Sequence, residues 1–274
     1  MSALDAISDW PVDAAAAAVV GPSGVLAEFG DQTRQFALAS VTKPLVARAA
    51  HIAVEEGVVE LDTAAGPPGS TVRHLLAHAS GLSMRSDERI NEPGERRVYS
   101  NYGFQVLAEA VQDKSGIEFG RYLHEALFAP LSMADTRLDG GADAAGYGAT
   151  STVADLVRFA GDLLRPVTVA GETHAEATSV QFPGLDGVLP GFGVQRPNGW
   201  GLGFEIKHGK SPHWTGSQNS PGTYGHFGQT GTFLWVDPAA DLALVVLTDR
   251  DFDKWARERW PDLSDTVLAE FAAD

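Results

Sequence analysis

Cysteine is absent from the 274-residue chain, which excludes thiol catalysis, disulfides and cysteine-ligated zinc. Positive charge is scarce. Lys and Arg number 20 against 36 Asp and Glu, a formal net charge of −16, with a pI near 4.8. Nucleic acids and anionic membrane surfaces both want a basic face, so neither is an expected partner. The plain consequence of the acidity is solubility through self-repulsion. No apolar run is long enough to span a bilayer; Ala14–Val20 is too short. The N-terminus Met1–Trp10 is acidic and lacks the basic start of a signal peptide, so the expected compartment is the cytoplasm. A Gly-x-Ser-x-Gly elbow, the mark of an α/β-hydrolase, does not occur.

What is present suffices for a sizeable core: 44% of residues are hydrophobic, and the length allows one large domain or two modest ones. Apolar runs Ala14–Val20 and Gly24–Phe29 flank Gly21-Pro-Ser-Gly24, a hairpin pattern. Phe36–Ala39 is a third short run. Residues 41–56 read as a helix closed by Gly57. From about Leu61 to Gln195 helical spacing dominates: Val72–Ala79, capped by Ser70 or Thr71, then Asn101–Lys114, then Phe119–Leu127. A further helix begins at Thr152, with Asp155 three residues on as in a capping box. Pro166–Pro197 has no period and reads as a functional rim. Strand texture returns at Gly201–Ile206, Thr232–Val236 and Leu242–Thr248, and the tail Phe252–Phe271 is helical with a break at Pro261. The expected fold is α+β. One antiparallel sheet forms from residues 1–60 and 196–274, flanked by N- and C-terminal helices, with an all-helical domain of residues 61–195 inserted. The junction of the two is a natural cleft.

Three stretches carry chemistry. Ser40 and Lys43 stand three apart where a strand end meets a helix, and residues i and i+3 share a helix face. A serine hydroxyl needs an adjacent base to attack at neutral pH, and a partly buried lysine can lose its proton and serve. Pro44 fits the first helical turn, whose free N–H groups face whatever docks on Ser40. The bland alternative is a capping serine followed by a solvated lysine. In Val98-Tyr-Ser-Asn-Tyr102, Tyr99 and Asn101 can face one way. A phenol beside an ammonium has its anion favoured and can relay protons, and an amide can both donate to and accept from a substrate. Alternatively these are a buried tyrosine and a helix-capping asparagine. Tyr224–Thr232 offers His226 as a polar or cationic group, and its glycines, Gly228 among them, permit close approach by a ligand. The bland reading is a turn at a strand edge. His74 and His78 are four apart, but without an adjacent glutamate they read as helix packing or capping rather than metal ligands.

Together Ser40-x-x-Lys43, Tyr99-x-Asn101 and His226-Phe227-Gly228 resemble, in order and spacing, the three motifs of the serine β-lactamase and penicillin-binding superfamily. The likeness is to the branch of class C β-lactamases, D-alanyl-D-alanine carboxypeptidases and related esterases. It runs from about Phe36 to Asp249 and includes Thr71–Leu82, Ala129–Met133 with Asp135-Thr136, and Ser151–Asp155. The resemblance implies a β-lactamase/transpeptidase-like fold and covalent acyl chemistry: Ser40 as nucleophile, with Lys43 and Tyr99 moving its proton. It also implies backbone N–H groups of Ser40 and Gln229 as oxyanion donors, and Asn101, His226, Phe227 and Gly228 around the substrate. No metal or organic cofactor is implied, and the expected partner is a small ester, amide or β-lactam. Phe227 stands where carboxypeptidase-like members usually carry Thr or Ser, and the chain is short for the branch. Both favour an esterase or amidase over a true β-lactamase or carboxypeptidase. A non-catalytic sensor or scaffold is the remaining alternative.

Overall fold

The alanine-rich run forms β1 (Ala15–Gly21), which turns through Pro22 and Ser23 into β2 (Gly24–Phe29). In the computed structural model, which describes residues 2–272, β1 lies in the middle of a sheet because its other edge pairs with a strand from the far end of the chain. β1 and that partner are buried on both faces, which explains their continuous rather than alternating hydrophobicity. β2 is an edge strand, mostly exposed.

After β3 (Phe36–Ala37) a single turn of 3₁₀ helix, Ala39–Val41, delivers the chain to α1 (Thr42–Glu55). Short α2 (Val72–Leu76), α3 (Asn101–Ser115) and α4 (Phe119–Leu123) follow, α4 continuing as a π turn over His124–Phe128. Ser100, not Asn101, caps α3 by accepting from the Gly103 N–H at 2.8 Å, and Gly116 closes it in the left-handed region. β5 (Ala149–Ser151) pairs with β3 on one side and β4 (Arg137–Leu138) on the other in a small sheet.

Next comes α5 (Val153–Leu164), whose Leu156, Phe159, Ala160 and Leu163 lie on one buried face packed against β1 and the last strand of the sheet. Thr152 caps it through the Asp155 N–H. The reciprocal half of the capping box is replaced. Asp155 instead accepts from the Asp135 N–H, the Thr136 hydroxyl and Arg158, which buckles the two distant stretches together.

Residues 166–197 are more ordered than their texture suggests. They hold α6 (Gly171–Ala177) and a hairpin of β6 (Gly187–Leu189) and β7 (Gly193–Gln195). Strands of three residues are too short to show a period. The strand expected over Gly201–Ile206 shrinks to β8 (Glu205–Ile206). β9 (Tyr224–Gly228), β10 (Thr232–Asp237) and β11 (Leu242–Thr248) complete a six-stranded antiparallel sheet of order β2-β1-β11-β10-β9-β8.

α7 (Lys254–Phe271) runs through Pro261 without a break. The proline costs about 3 kcal/mol. Trp255, Trp260, Leu263 and Val267 are all buried by the same helix, each worth about 1.5–3 kcal/mol, so packing outweighs the lost backbone bond. α7 and the N-terminal 3₁₀ turn Ala3–Asp9 cover one face of the sheet with Trp235, Leu244 and Val246. The opposite face packs on α1 and α5 through Val20, Leu234 and Val245. The mouth between that face and the helical segment is where Ser40 lies.

Candidate active site

Ser40 sits on a short segment pinned from both sides. The Leu38 N–H donates to the Ala149 carbonyl at 2.9 Å, and the Thr42 hydroxyl accepts from the Ala149 N–H at 2.9 Å. From the other side the Thr232 and Thr230 hydroxyls donate to the Leu38 and Ala37 carbonyls at 2.8 and 2.7 Å. Ala39, directly before Ser40, has φ of +45°, a strained conformation for a residue with a Cβ. The surrounding bonds hold that strain in place.

One turn on, Lys43 is fully buried. Its Nζ donates to Asn101 Oδ1 at 2.6 Å and to the Gly146 carbonyl at 2.7 Å, and lies 3.4 Å from Ser40 Oγ. The rings of Tyr99 and Phe104 lie 4.5 and 5.5 Å away. Desolvation in this carboxylate-free pocket pushes Lys43 well below the usual lysine range. Gly146 is a partner that sequence reading missed. It lies in a glycine-rich loop, and an added Cβ would stand 3.1 Å from the Asn101 backbone.

Tyr99 Oη donates to Ser40 Oγ at 2.8 Å. Burial raises the phenol well above its ordinary value, only partly opposed by that hydrogen bond. The expectation of a phenolate favoured by a neighbouring ammonium is therefore corrected: the same burial that pushes Lys43 down pushes Tyr99 up and keeps it protonated. Three rings cage it. His78 lies 4.6 Å away, Trp200 5.9 Å and His226 5.8 Å between centroids. His78 follows α2 in a left-handed conformation, and its Nδ1 accepts from the Ser100 N–H at 3.1 Å, so it anchors the start of α3. His74 instead pairs with the Thr71 hydroxyl and stacks on Phe182. Among the described residues no group of three His, Asp or Glu is placed to hold a metal ion.

His226 is buried and neutral rather than cationic, its pKa lowered to about 3 mainly by desolvation. Its Nδ1–H donates to the Phe227 carbonyl at 2.7 Å, which leaves Nε2 facing Tyr99 Oη at 3.5 Å. Gly228 approaches protein, not ligand. A Cβ there would stand 2.3 Å from the Leu38 carbonyl oxygen and 2.4 Å from Thr232 Oγ1. Only glycine lets the end of β9 close on the Ser40 segment, and this brings the neighbouring Gln229 to the cleft. Phe227 borders the cleft but packs chiefly against Phe252, Trp214 and Trp260.

The cleft at Ser40 is a cavity of about 90 Å³, walled by Tyr99, Trp200, His226, Gln229 and the apolar Leu189 and Met84. Leu189 and Pro190 reach it from the 166–197 segment. Glu205, also missed from sequence, borders it as well. This buried carboxylate pairs with Lys210 and accepts from His213 Nε2 and Trp214 Nε1, each at 2.8 Å. Although desolvation opposes ionisation, His213 and Lys210 hold the Glu205 carboxyl far below its ordinary range.

A hydroxyl, a buried amine of lowered proton affinity and a protonated phenol meet beside a sheet covered by helices on both faces, the arrangement of the β-lactamase-like class of hydrolases. The beta-lactamase family model matches residues 14–268, and the chain belongs to that family. A crystal structure described as a beta-lactamase from Mycobacterium bovis is 72% identical, covers 99% of this chain and 100% of its own, and superposes with a TM-score of 0.99. Simvastatin synthase from Aspergillus terreus shares the fold, with a TM-score of 0.82 over 98% of this chain and 97% of its own at 17% identity. A penicillin-binding protein of Bacillus subtilis is 29% identical over 136 residues, which cover 38% of this chain and 30% of the relative. The chain spans less than half the length of the first curated relatives it matches.

Proposed function

We propose that the chain is a serine hydrolase that cleaves a small ester or amide through an acyl-enzyme on Ser40. The observation that carries this is the contact of Ser40 Oγ with Tyr99 Oη at 2.8 Å and with a buried Lys43 Nζ at 3.4 Å. A neutral amine has two hydrogens. Both are used on Asn101 and Gly146, which leaves the lone pair for the Ser40 proton. Lys43 takes that proton as Ser40 attacks the substrate carbonyl. Tyr99, protonated and in contact with Ser40, passes a proton to the leaving group and is reprotonated from the Lys43 ammonium, so the proton of Ser40 departs with the leaving group. Backbone N–H groups of Ser40 and Gln229 bind the oxyanion, each such donor worth about 3 kcal/mol in the transition state. Asn101 holds the acyl side. Water then releases the acid. The aromatic Phe227 offers no hydroxyl to a substrate carboxylate, which supports an ester or amide over a carboxylate-bearing peptide end.

Hydrolysis of β-lactams is the second reading, favoured by the 72% identity to a structure described as a beta-lactamase. The test runs a chromogenic cephalosporin beside short-chain nitrophenyl esters, with Ser40→Ala as control and intact mass to follow acylation. Ester turnover abolished by Ser40→Ala is the expected result. Turnover retained in that variant removes the nucleophile assignment. Stronger cephalosporin turnover selects the second reading, and a persistent acyl adduct without product selects a sensor.

A further inference from the structure

Two larger cavities flank the catalytic cleft, and they differ in chemistry. One, of about 420 Å³, lies beyond Asn101 and is bordered by Arg85, Gln105, Asp143 and Tyr147. The other, of about 380 Å³, is bordered mainly by the apolar Met84, Ile90, Val98, Val188 and Pro190 with Tyr99, and also by Asn91, Arg96 and Arg97. Met84, Tyr99 and Pro190 also wall the cleft at Ser40, so this groove continues it. Met84, Ile90 and Val188 are 43%, 50% and 50% exposed, three of the eight large exposed apolar side chains among the described residues. Such side chains scattered singly need no explanation, but three along one groove contiguous with a reaction centre point to an apolar ligand.

Which half of a substrate enters it follows from the proton path. The leaving oxygen must come within hydrogen-bond reach of Tyr99 Oη. The group attached to that oxygen then continues along the side of Tyr99 that bears the apolar groove, while the acyl half points past Asn101 into polar surroundings. We propose that the groove of Met84, Ile90, Val98 and Val188 takes the alcohol half of the substrate, which makes the chain an esterase for small acyl groups on medium-length aliphatic alcohols. This rests on Ser40 being the nucleophile. Ser40 Oγ bonds the acyl carbon as that carbon's bond to the alcohol oxygen breaks. The alcohol oxygen takes the proton given up by Ser40, and water hydrolyses the acyl-enzyme to the acid.

The test compares two ester series with equal atom counts. In one, acetate esters of ethanol, butanol and hexanol lengthen the alcohol; in the other, ethyl esters of butanoic and hexanoic acid lengthen the acyl chain. A methylene taken wholly out of water gains about fourfold in binding. The groove is half open, so about twofold each is expected, or roughly fifteenfold in kcat/KM from ethyl to hexyl acetate, with no such gain in the acyl series. Val188→Asp and Ile90→Asp, both at half-exposed positions, flatten the hexyl-to-ethyl ratio to about one, while Val188→Leu keeps it. Intact mass of the Ser40 acyl-enzyme is read in parallel. Acylated Ser40 with a flat alcohol series, or a gain confined to the acyl series, overturns the groove assignment and leaves the nucleophile standing. No acylation of Ser40 in either series removes both.

Discussion

Gly228→Ala tests whether the approach of β9 to the nucleophile segment is what builds the site. The added methyl would stand 2.3 Å from the Leu38 carbonyl oxygen and 2.4 Å from Thr232 Oγ1, against a normal contact near 3.4 Å. Neither neighbour is the free end of a flexible chain. The two segments must therefore part by about 1 Å. That loosens the Thr232–Leu38 and Thr230–Ala37 hydrogen bonds, about 1 kcal/mol each, and adds overpacking of about 1–3 kcal/mol. The expected loss is about 3–5 kcal/mol, or roughly 6–12 °C in Tm for a chain of this size. The same ångström moves the Gln229 N–H off its proposed place at the oxyanion, where losing a donor costs about 10²–10³ in rate. Ester kcat/KM and calorimetric Tm read the two effects. Gly161→Ala in α5, where a Cβ meets nothing within 4 Å, is the control and gains up to about 1 kcal/mol. If Gly228→Ala acylated at the parent rate with an unchanged Tm, the close approach would have no role in catalysis.

The pH profile of kcat/KM for an uncharged ester should show one acid limb, from protonation of the depressed Lys43, and no alkaline limb below the ordinary phenol range, because Tyr99 is raised; an alkaline limb near pH 8 contradicts the neutral phenol. Acid stability follows from two buried imidazoles and a half-buried one, with desolvation holding His51 and His226 at about 3 and His174 at about 4. Below pH 6.5 the unfolded chain binds protons that these rings refuse, so each withdraws up to about 1.4 kcal/mol of stability per pH unit until its folded value is reached. Tm should hold above pH 7 and fall steeply between pH 6 and 4; a flat Tm down to pH 5 refutes the burial argument. Glu205→Ala leaves Lys210 and His213 buried without their carboxylate and should destabilise by about 3–5 kcal/mol, measured by urea unfolding; a loss under 1 kcal/mol means the cluster is not dry.

Features that act over one turn or one strand pair were legible in the sequence. β11 coincides with the strand expected over Leu242–Thr248, and Thr152 caps α5 as its residue type predicts. Elements decided by packing were not. α7 passes Pro261 because two tryptophans bury beside it, and the hairpin of β6 and β7 is too short to have a period. Glu205 and Trp200 gave no signal at all, since nothing near them in sequence marks a carboxylate or an indole as facing Ser40.

By itself the sequence determined which chemical groups are available and that Ser40 and Lys43 share a helix face, because a three-residue spacing fixes geometry locally. The tertiary structure decided their charge states. Lys43 is pushed well below the usual lysine range by surroundings drawn from Asn101, Gly146, Tyr99 and Phe104, residues 56 or more positions away. Desolvation sums over everything that displaces water, so a proton affinity belongs to the assembled pocket and not to any motif within it.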